Sequence, residues 1–475
     1  MLGTATLLTV VTLVGLVSGF AREWLLVADW GVGPRTDAFL VAMFIPDAIR
    51  TMLAGGLLSA AALPLWHELH GERRQGWFAG QVRHWVLFGC LMAGVLALGS
   101  TALVRMVGPG LALQWHVVAA KTLFWLALVL PGLMLQAILS VAAQARSRFL
   151  LPGAGSVLFN LPAVAYLWLA GHAASPVTLA QWFVVGSLLM AVILLPDALQ
   201  HGWRPWLAAQ PGDRRLFWKR LWPLLTSSLA SQGLVMIERL VASLLGEGAI
   251  TLINLARKLV NIPLIGLMSL NQIVLAKMSG AASLTRRKTL DQALLLISLL
   301  TLPAASVMIA GAPAIVGIAF PGHLAEGPLP DLVATFAATL IFGSWNAMLA
   351  RYYYAHGNTR TPLFFELTGS AIQVLLLLLL ARLDGLSGVA WAVMGGVLVT
   401  AVQLVYRIDH GLIRRFVEMG VWSLLFCGLA ALGLQVDPQA GHVLRLLLAG
   451  LYGLFVLGLL VLRFRPWQVR VDQTG

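Results

Sequence analysis

The residues of this chain best able to do chemistry sit where charge is expensive. The segment TDAFLVAMFIPDAIR, residues 36–50, is mostly apolar yet carries Asp37, Asp47 and Arg50 around Pro46. Arg22 precedes it. Further on come Glu238 with Arg239, then Arg257 with Lys258. A charge near the centre of a bilayer costs at least about 2.5–3.5 kcal/mol on insertion scales, so such residues usually face a cavity or a partner. Asp47 and Arg50 are spaced i, i+3 and can pair on one helix. Asn254, Lys258 and Asn261 share a helical face, as do Thr251 with Lys258 and Ser231 with Glu238. Pro46 and Pro263 leave backbone carbonyls without helical donors and are expected to kink their spans, which is tolerated beside a cavity or a neighbouring helix. Arg and Lys gathered in such a cavity suit an anion, a phosphate or pyrophosphate. The competing reading is structural: Arg22, Arg239 and Arg257 snorkel to an interface, and Asp47–Arg50 is a local pair. Recurrence at matching places in two halves favours binding.

Catalysis has no comparable signal. There is no paired-carboxylate or His/Cys metal constellation and no P-loop, so ATP hydrolysis by this chain is not expected, nor is any cofactor. His67 and His70, in HELH, have no further ligand nearby. Cys90 and Cys427 both lie in apolar runs and give neither a disulfide framework nor metal-ligand spacing.

The elements that must position these charges are membrane spans. Of 475 residues, 59% are hydrophobic and 11% charged, against roughly 25% charged in soluble proteins. Mean hydropathy is +0.86. Fourteen apolar runs of about 20 residues qualify as transmembrane helices. They lie near 5–28, 37–64, 84–106, 118–142, 150–171, 177–198, 221–245, 249–279, 290–311, 331–354, 362–381, 386–406, 416–434 and 442–462. The first lacks a basic n-region and a small-residue cleavage site, so it is expected to be retained. The fold class is an all-α polytopic membrane protein. The expected organisation is an N-lobe at 1–200, an interfacial linker at 201–220, a C-lobe at 221–410, and two further spans with a tail at 411–475.

Net charge is +13. With both termini in the cytoplasm, the inner loops hold twenty Lys and Arg residues, and the outer loops hold two, Arg35 and Arg382. That asymmetry follows the positive-inside rule through every loop. It accounts for the net charge by attraction to an anionic leaflet, without nucleic acid. Trp residues at span ends suit interfacial anchors.

An internal repeat divides the chain. AQARSR, residues 143–148, ends span four, and AHGNTR, residues 355–360, ends span ten. Both fit A-[QH]-[AG]-x-[ST]-R, and a proline follows each, Pro152 and Pro362. Spans one and two likewise resemble spans seven and eight, with glycine turns GVGP and GEGA. Two six-span lobes in the same orientation would produce this pattern, and parallel repeats are a transporter signature.

Several stretches then resemble one family. GFAREW, GVGPRTDAFLVAMFIPDAIR and AGGLLSAAALPLW are similar to the signature of the MurJ/MviN lipid II flippases, of the multidrug/oligosaccharidyl-lipid/polysaccharide exporter superfamily. SQGLVMIERLVASLLGEGAITLINLARKLVNIP and AHGNTRTP resemble the family's second-half motifs. The resemblance implies alternating access between two lobes around a cationic cavity. The cargo would be an undecaprenyl-pyrophosphate-linked peptidoglycan precursor moving to the periplasmic leaflet of the bacterial inner membrane. A groove near spans 13–14 would take its tail. Substrate contacts would fall to Arg22, Arg50, Lys258, Thr251 and Asn254, and gating to Asp37. Glu238 and Gln373 would be candidates for sodium or proton coupling, the membrane potential being the other drive. Cell-wall synthesis proteins would be partners. Leu16, Phe44, Gly55, Asn261 and Leu377 depart from the family pattern, each replacing a charged residue. A flippase for another lipid-linked oligosaccharide and a non-transporting membrane scaffold are the alternatives.

Overall fold

The structure, a computed structural model, describes residues 2–54, 56–146, 148–200, 203, 207, 211–263, 283–320, 323–356, 358, 360–408, 410–433 and 441–464. Among these residues every regular element is helical, as a chain in hydrocarbon requires when no water can satisfy its peptide groups. The chain divides into two compact units, Met1–Thr251 and Leu252–Gly475.

The first unit begins with α1 (Leu2–Trp30), α2 (Pro34–Ala54), α3 (Leu57–Glu68), α4 (Gly71–Leu98) and α5 (Ser100–Val107). It continues with α6 (Leu113–Ala127), α7 (Val129–Ala145), α8 (Leu150–Ala170), α9 (Pro176–Val192), α10 (Leu195–Gln200) and α11 (Pro211–Ser243). α12 (Ala249–Asn261) starts in this unit and runs into the second. The second unit continues with α13 (Ser283–Ala310), α14 (Ala312–Ala319), α15 (Leu329–Ala355), α16 (Arg360–Ile408), α17 (His410–Gly433) and α18 (His442–Phe464).

Each expected span coincides with at least one helix. Ten segments among the described residues are long and apolar enough to cross a membrane. The tally differs from fourteen partly because Arg360–Ile408 holds two expected spans, broken by non-helical backbone at Asp384 and Gly385. Gly385 adopts φ +55°, which a residue without Cβ allows. Span eight differs more: α12 stops at Asn261 and Pro263 follows it in a turn, outside the helix. A proline lacks the N–H to continue a helix and is common just past its end. The rest of that expected span, 264–282, lies outside the described residues. Pro46, by contrast, is buried within α2.

The two repeat motifs end their helices in the same way. Arg146 and Arg148 donate backbone N–H bonds to the Ala143 carbonyl, and His356 and Asn358 donate theirs to Tyr353. The next helices open at Leu150 and Arg360. The backbone therefore pairs Ala145 with Ala355, two residues from the register that the letters alone suggest.

The segment read as a linker, 201–220, contains the start of α11, which packs into the first unit. Asp213 there is nearly buried and accepts two hydrogen bonds from Arg73, at 2.6 and 2.9 Å. Phe217 is fully buried against Trp77 and Trp85. In the second unit, Trp345, Met348, Leu404 and Leu412 form the core around Leu290 and Ile297. Outward-facing positions are also apolar, as a lipid-facing surface demands: Leu98 is 90% exposed and Leu424 78%.

Small residues allow close helix approach where hydrophobic burial gives little drive. A Cβ on Gly186 in α9 would land against the Phe159 carbonyl of α8. Gly186→Ala should therefore force α8 and α9 apart, at about 1–3 kcal/mol. A lower thermal unfolding midpoint of the detergent-solubilised protein checks this, and an unchanged midpoint would refute the close packing.

Candidate functional site

Asp37 is 2% exposed and belongs to the first turn of α2. Its Oδ2 accepts the Gly248 N–H at 2.6 Å; its Oδ1 accepts the Thr251 N–H at 2.8 Å and the Thr251 hydroxyl at 2.6 Å. Gly248 and Thr251 flank the start of α12, so Asp37 caps that helix from far away in sequence. Helix N-termini carry unpaired N–H groups and partial positive charge, and a carboxylate satisfies both. Gly248 stands at φ +84°, so its N–H reaches Asp37 through a backbone shape that other residues avoid. The sequence reading assigned Asp37 to a gate and Thr251 to a substrate contact; here Thr251 is bonded to Asp37.

The first half of α2 is also clasped by α11. Arg239 donates to the Leu40 carbonyl at 2.9 Å, and its guanidinium lies 4.8 Å from the Phe44 ring centroid. Gly110 donates its N–H to the Ser243 hydroxyl at 3.2 Å, holding the end of α11.

Two further cations are positioned by α8. Arg22, 4% exposed, pairs with Glu23 and donates to Asn160 Oδ1 at 3.1 Å. Its guanidinium lies 5.5 Å from the Phe183 ring. Arg50 donates from Nε and Nη2 to one Asp47 oxygen, at 3.0 and 2.8 Å, and lies 5.2 Å from the Phe159 ring. Phe159 and Phe183 are themselves in contact at 5.1 Å, and Phe183 stacks on Phe39 of α2 at 6.2 Å. A connected aromatic row thus carries both guanidinium groups, where cation–π attraction strengthens with desolvation. Each cation already has one carboxylate. The Arg22–Glu23 pair is buried, whereas the Arg50–Asp47 pair is partly exposed.

Of the remaining candidates, Glu238 is 3% exposed in the first unit. Lys258 and Asn254 are half-buried on α12 in the second unit. Gln373 is 5% exposed and packs where α16 folds back: a Cβ on Gly396 would come within 2.6 Å of the Gln373 Cβ. Beside Lys258, Arg257 lies 5.3 Å from the Phe336 ring. Sequence reasoning named the charged groups and missed what holds them: Glu23, Asn160, Phe159 and Phe183 around the cations, and Gly248 at Asp37. The signals were present. An Asn inside the apolar LFNLP of span five requires a partner, and Glu23 follows Arg22 directly.

The chain is similar to known proteins over most of its length. The family model described as "Lipid II flippase MurJ" matches residues 27–448. The lipid II flippase MurJ of Burkholderia cenocepacia is 27% identical over 461 residues, covering 88% of this chain and 87% of that protein. A solved structure, "Lipid II flippase MurJ, inward closed conformation", aligns with a TM-score of 0.82 at 20% identity over 98% of this chain and 100% of its own. An inward-facing multidrug resistance MATE family transporter of the MOP superfamily aligns with a TM-score of 0.69 at 12% identity, covering 90% and 98%. These structures support the fold.

Removing the Asp37 acceptor leaves two buried N–H groups without a partner. Asp37→Ala should therefore speed hydrogen exchange at the Gly248 and Thr251 amides about tenfold to a hundredfold, the equivalent of 1–3 kcal/mol. Asp37→Asn, which keeps one acceptor oxygen, should fall between. Equal exchange in all three proteins would show that the cap does not hold α12.

Proposed function

The chain belongs to the lipid II flippase MurJ family, and on that footing we propose that it carries lipid II from the cytoplasmic to the periplasmic leaflet by alternating access. The observation that carries this reading is the family match across 27–448, which includes the partly buried Arg50 and begins five residues after the buried Arg22. Membership makes the chain a membrane transporter of the bacterial inner membrane, and transport without covalent catalysis follows as part of the proposal.

In this mechanism the pyrophosphate displaces Asp47 from Arg50. An Arg fork binds a phosphate bidentately, as it binds a carboxylate, so the exchange swaps one charge-assisted contact for another. Arg22, neutralised by Glu23 and fixed by Asn160, supplies positive potential more than a flexible ligand. Lys258 and Asn254 serve as further headgroup contacts. Asp37 acts as a gate: releasing its three hydrogen bonds frees the start of α12, and Thr251 becomes available to substrate. Glu238 and Gln373 are the proposed ion-coupling residues, with sodium, protons or the membrane potential supplying the drive. The loop charges support cytoplasmic termini. Peptidoglycan synthesis proteins on either face are the partners this role calls for.

One observation favours a second cargo, another lipid-linked oligosaccharide. Phe44 stands where the family pattern carries a basic residue, and its ring lies under Arg239. The headgroup site then has less charge of its own.

The test is complementation. In a host depleted of its own lipid II flippase, the intact chain should restore growth and lipid II translocation. Arg50→Ala should reduce translocation about tenfold to a hundredfold, as expected for a lost charge-assisted bond of 1.5–3 kcal/mol. Asp47→Asn, which releases Arg50, should keep it. Failure of the intact chain, with lipid II retained in the inner leaflet, would refute lipid II as cargo, and rescue of a different glycan pathway would establish the second reading.

A further inference from the structure

A second cationic site, lined by none of the substrate, gate or coupling candidates, lies on the hairpin of α5 and α6. Arg105 in the last turn of α5, with His116 and Lys121 on α6, lines a half-open cavity of about 390 Å³. Ser100 and Thr101 contribute hydroxyls to the same wall. No carboxylate lines it, and the sequence contains no Asp or Glu from Arg73 to Pro196. Among the described residues, none of the three bases has an ion pair. His116 Nδ1 is buried without a hydrogen-bond partner.

The position of Lys121 makes this arrangement informative. Leu113, Val117 and Phe124 share its face of α6 by helical spacing and are 75%, 50% and 44% exposed. In a membrane protein such a stripe faces acyl chains. Lys121 lies about 12 Å along α6 from Leu113, at 1.5 Å per residue. A lone lysine there could snorkel. Two cations, Arg105 and Lys121, on one cavity repel each other, and an anion set between them removes that repulsion while accepting hydrogen bonds from the hydroxyls.

We infer that this cavity binds the phosphodiester headgroup of an anionic phospholipid, with its acyl chains along the Leu113–Val117–Phe124 stripe. Charge complementarity supplies the headgroup end and the exposed apolar face supplies the tail end. A free phosphate would use only the first, which is why a lipid is the occupant. By the loop-charge topology, the α5–α6 turn lies on the periplasmic side, so the lipid belongs to that leaflet. The site is separate from Arg22, Arg50 and Lys258, and its existence does not depend on which glycan the protein carries.

Native mass spectrometry of the full chain, released from detergent after incubation with phosphatidylglycerol, phosphatidylcholine or inorganic phosphate, tests this. The wild type should retain one more phosphatidylglycerol than the Arg105→Gln/Lys121→Gln double variant at matched concentration. Affinity for that lipid should fall about tenfold to thirtyfold, given about 1 kcal/mol per basic residue near a lipid surface. Lys121→Arg should keep it. Both substituted side chains are exposed, and each single variant should show part of the loss if the double variant folds poorly. Equal phosphatidylglycerol retention by wild type and variants would overturn the proposal. So would equal retention of phosphatidylcholine, or displacement of the lipid by millimolar phosphate, which would mark a small-anion site.

Discussion

In a bilayer, no water is available to complete a hydrogen bond, so every buried polar group must be answered by another part of the chain. Asp37 is the clearest case. Its carboxylate has no cation beside it in the described hydrogen bonds; two peptide N–H groups and a hydroxyl hold it. The residue just before α12 is Gly248, which has no side chain with which to cap it. Each group satisfies the other, and a glycine at φ +84° makes the meeting possible. Such a contact is strong while dry and has little to hold it once water enters, because water supplies the same bonds. That is a suitable property for the gate proposed at Asp37.

The cations follow the same rule by a different route. Arg22 and Arg50 are matched one-for-one with Glu23 and Asp47, and aromatic rings cover them. Unpaired arginines in this setting would carry a desolvation penalty of several kcal/mol. Pairing avoids that penalty, and under the proposed mechanism an incoming anion would compete with Asp47. The two pairs differ in how open they are to competition: Arg22–Glu23 is buried, while the Arg50 and Asp47 side chains are 23% and 31% exposed.

Hydropathy and loop charge made the helical class and the placement of nearly every span legible, because a membrane imposes apolar runs of a fixed length. The charged candidates were legible for the same reason: Asp37, Arg22 and Arg50 stand out against apolar neighbours. What the letters hid was partnership across the chain. Asp37 and Thr251 are far apart in sequence, and no local spacing links them. The same limit applied to α11, whose Asp213 and Phe217 sit in a stretch polar enough to read as a linker yet pack against Arg73, Trp77 and Trp85. Pro263 showed the limit of local rules. A proline in an apolar run reads equally as a kink or as a stop, and α12 ends before it.

Phe159 and Asn160 are neighbours in α8, and the first touches Arg50 while the second touches Arg22. Successive residues on a helix point about 100° apart, so one peptide unit aims two side chains at two cations. Two cations carried on α1 and α2 are therefore both supported from one turn of α8. Any rotation of α8 about its axis would swing both contacts together, advancing one as it withdraws the other, like the two arms of a rocker. Under the proposed mechanism, α8 would therefore couple the surroundings of Arg22 to those of Arg50.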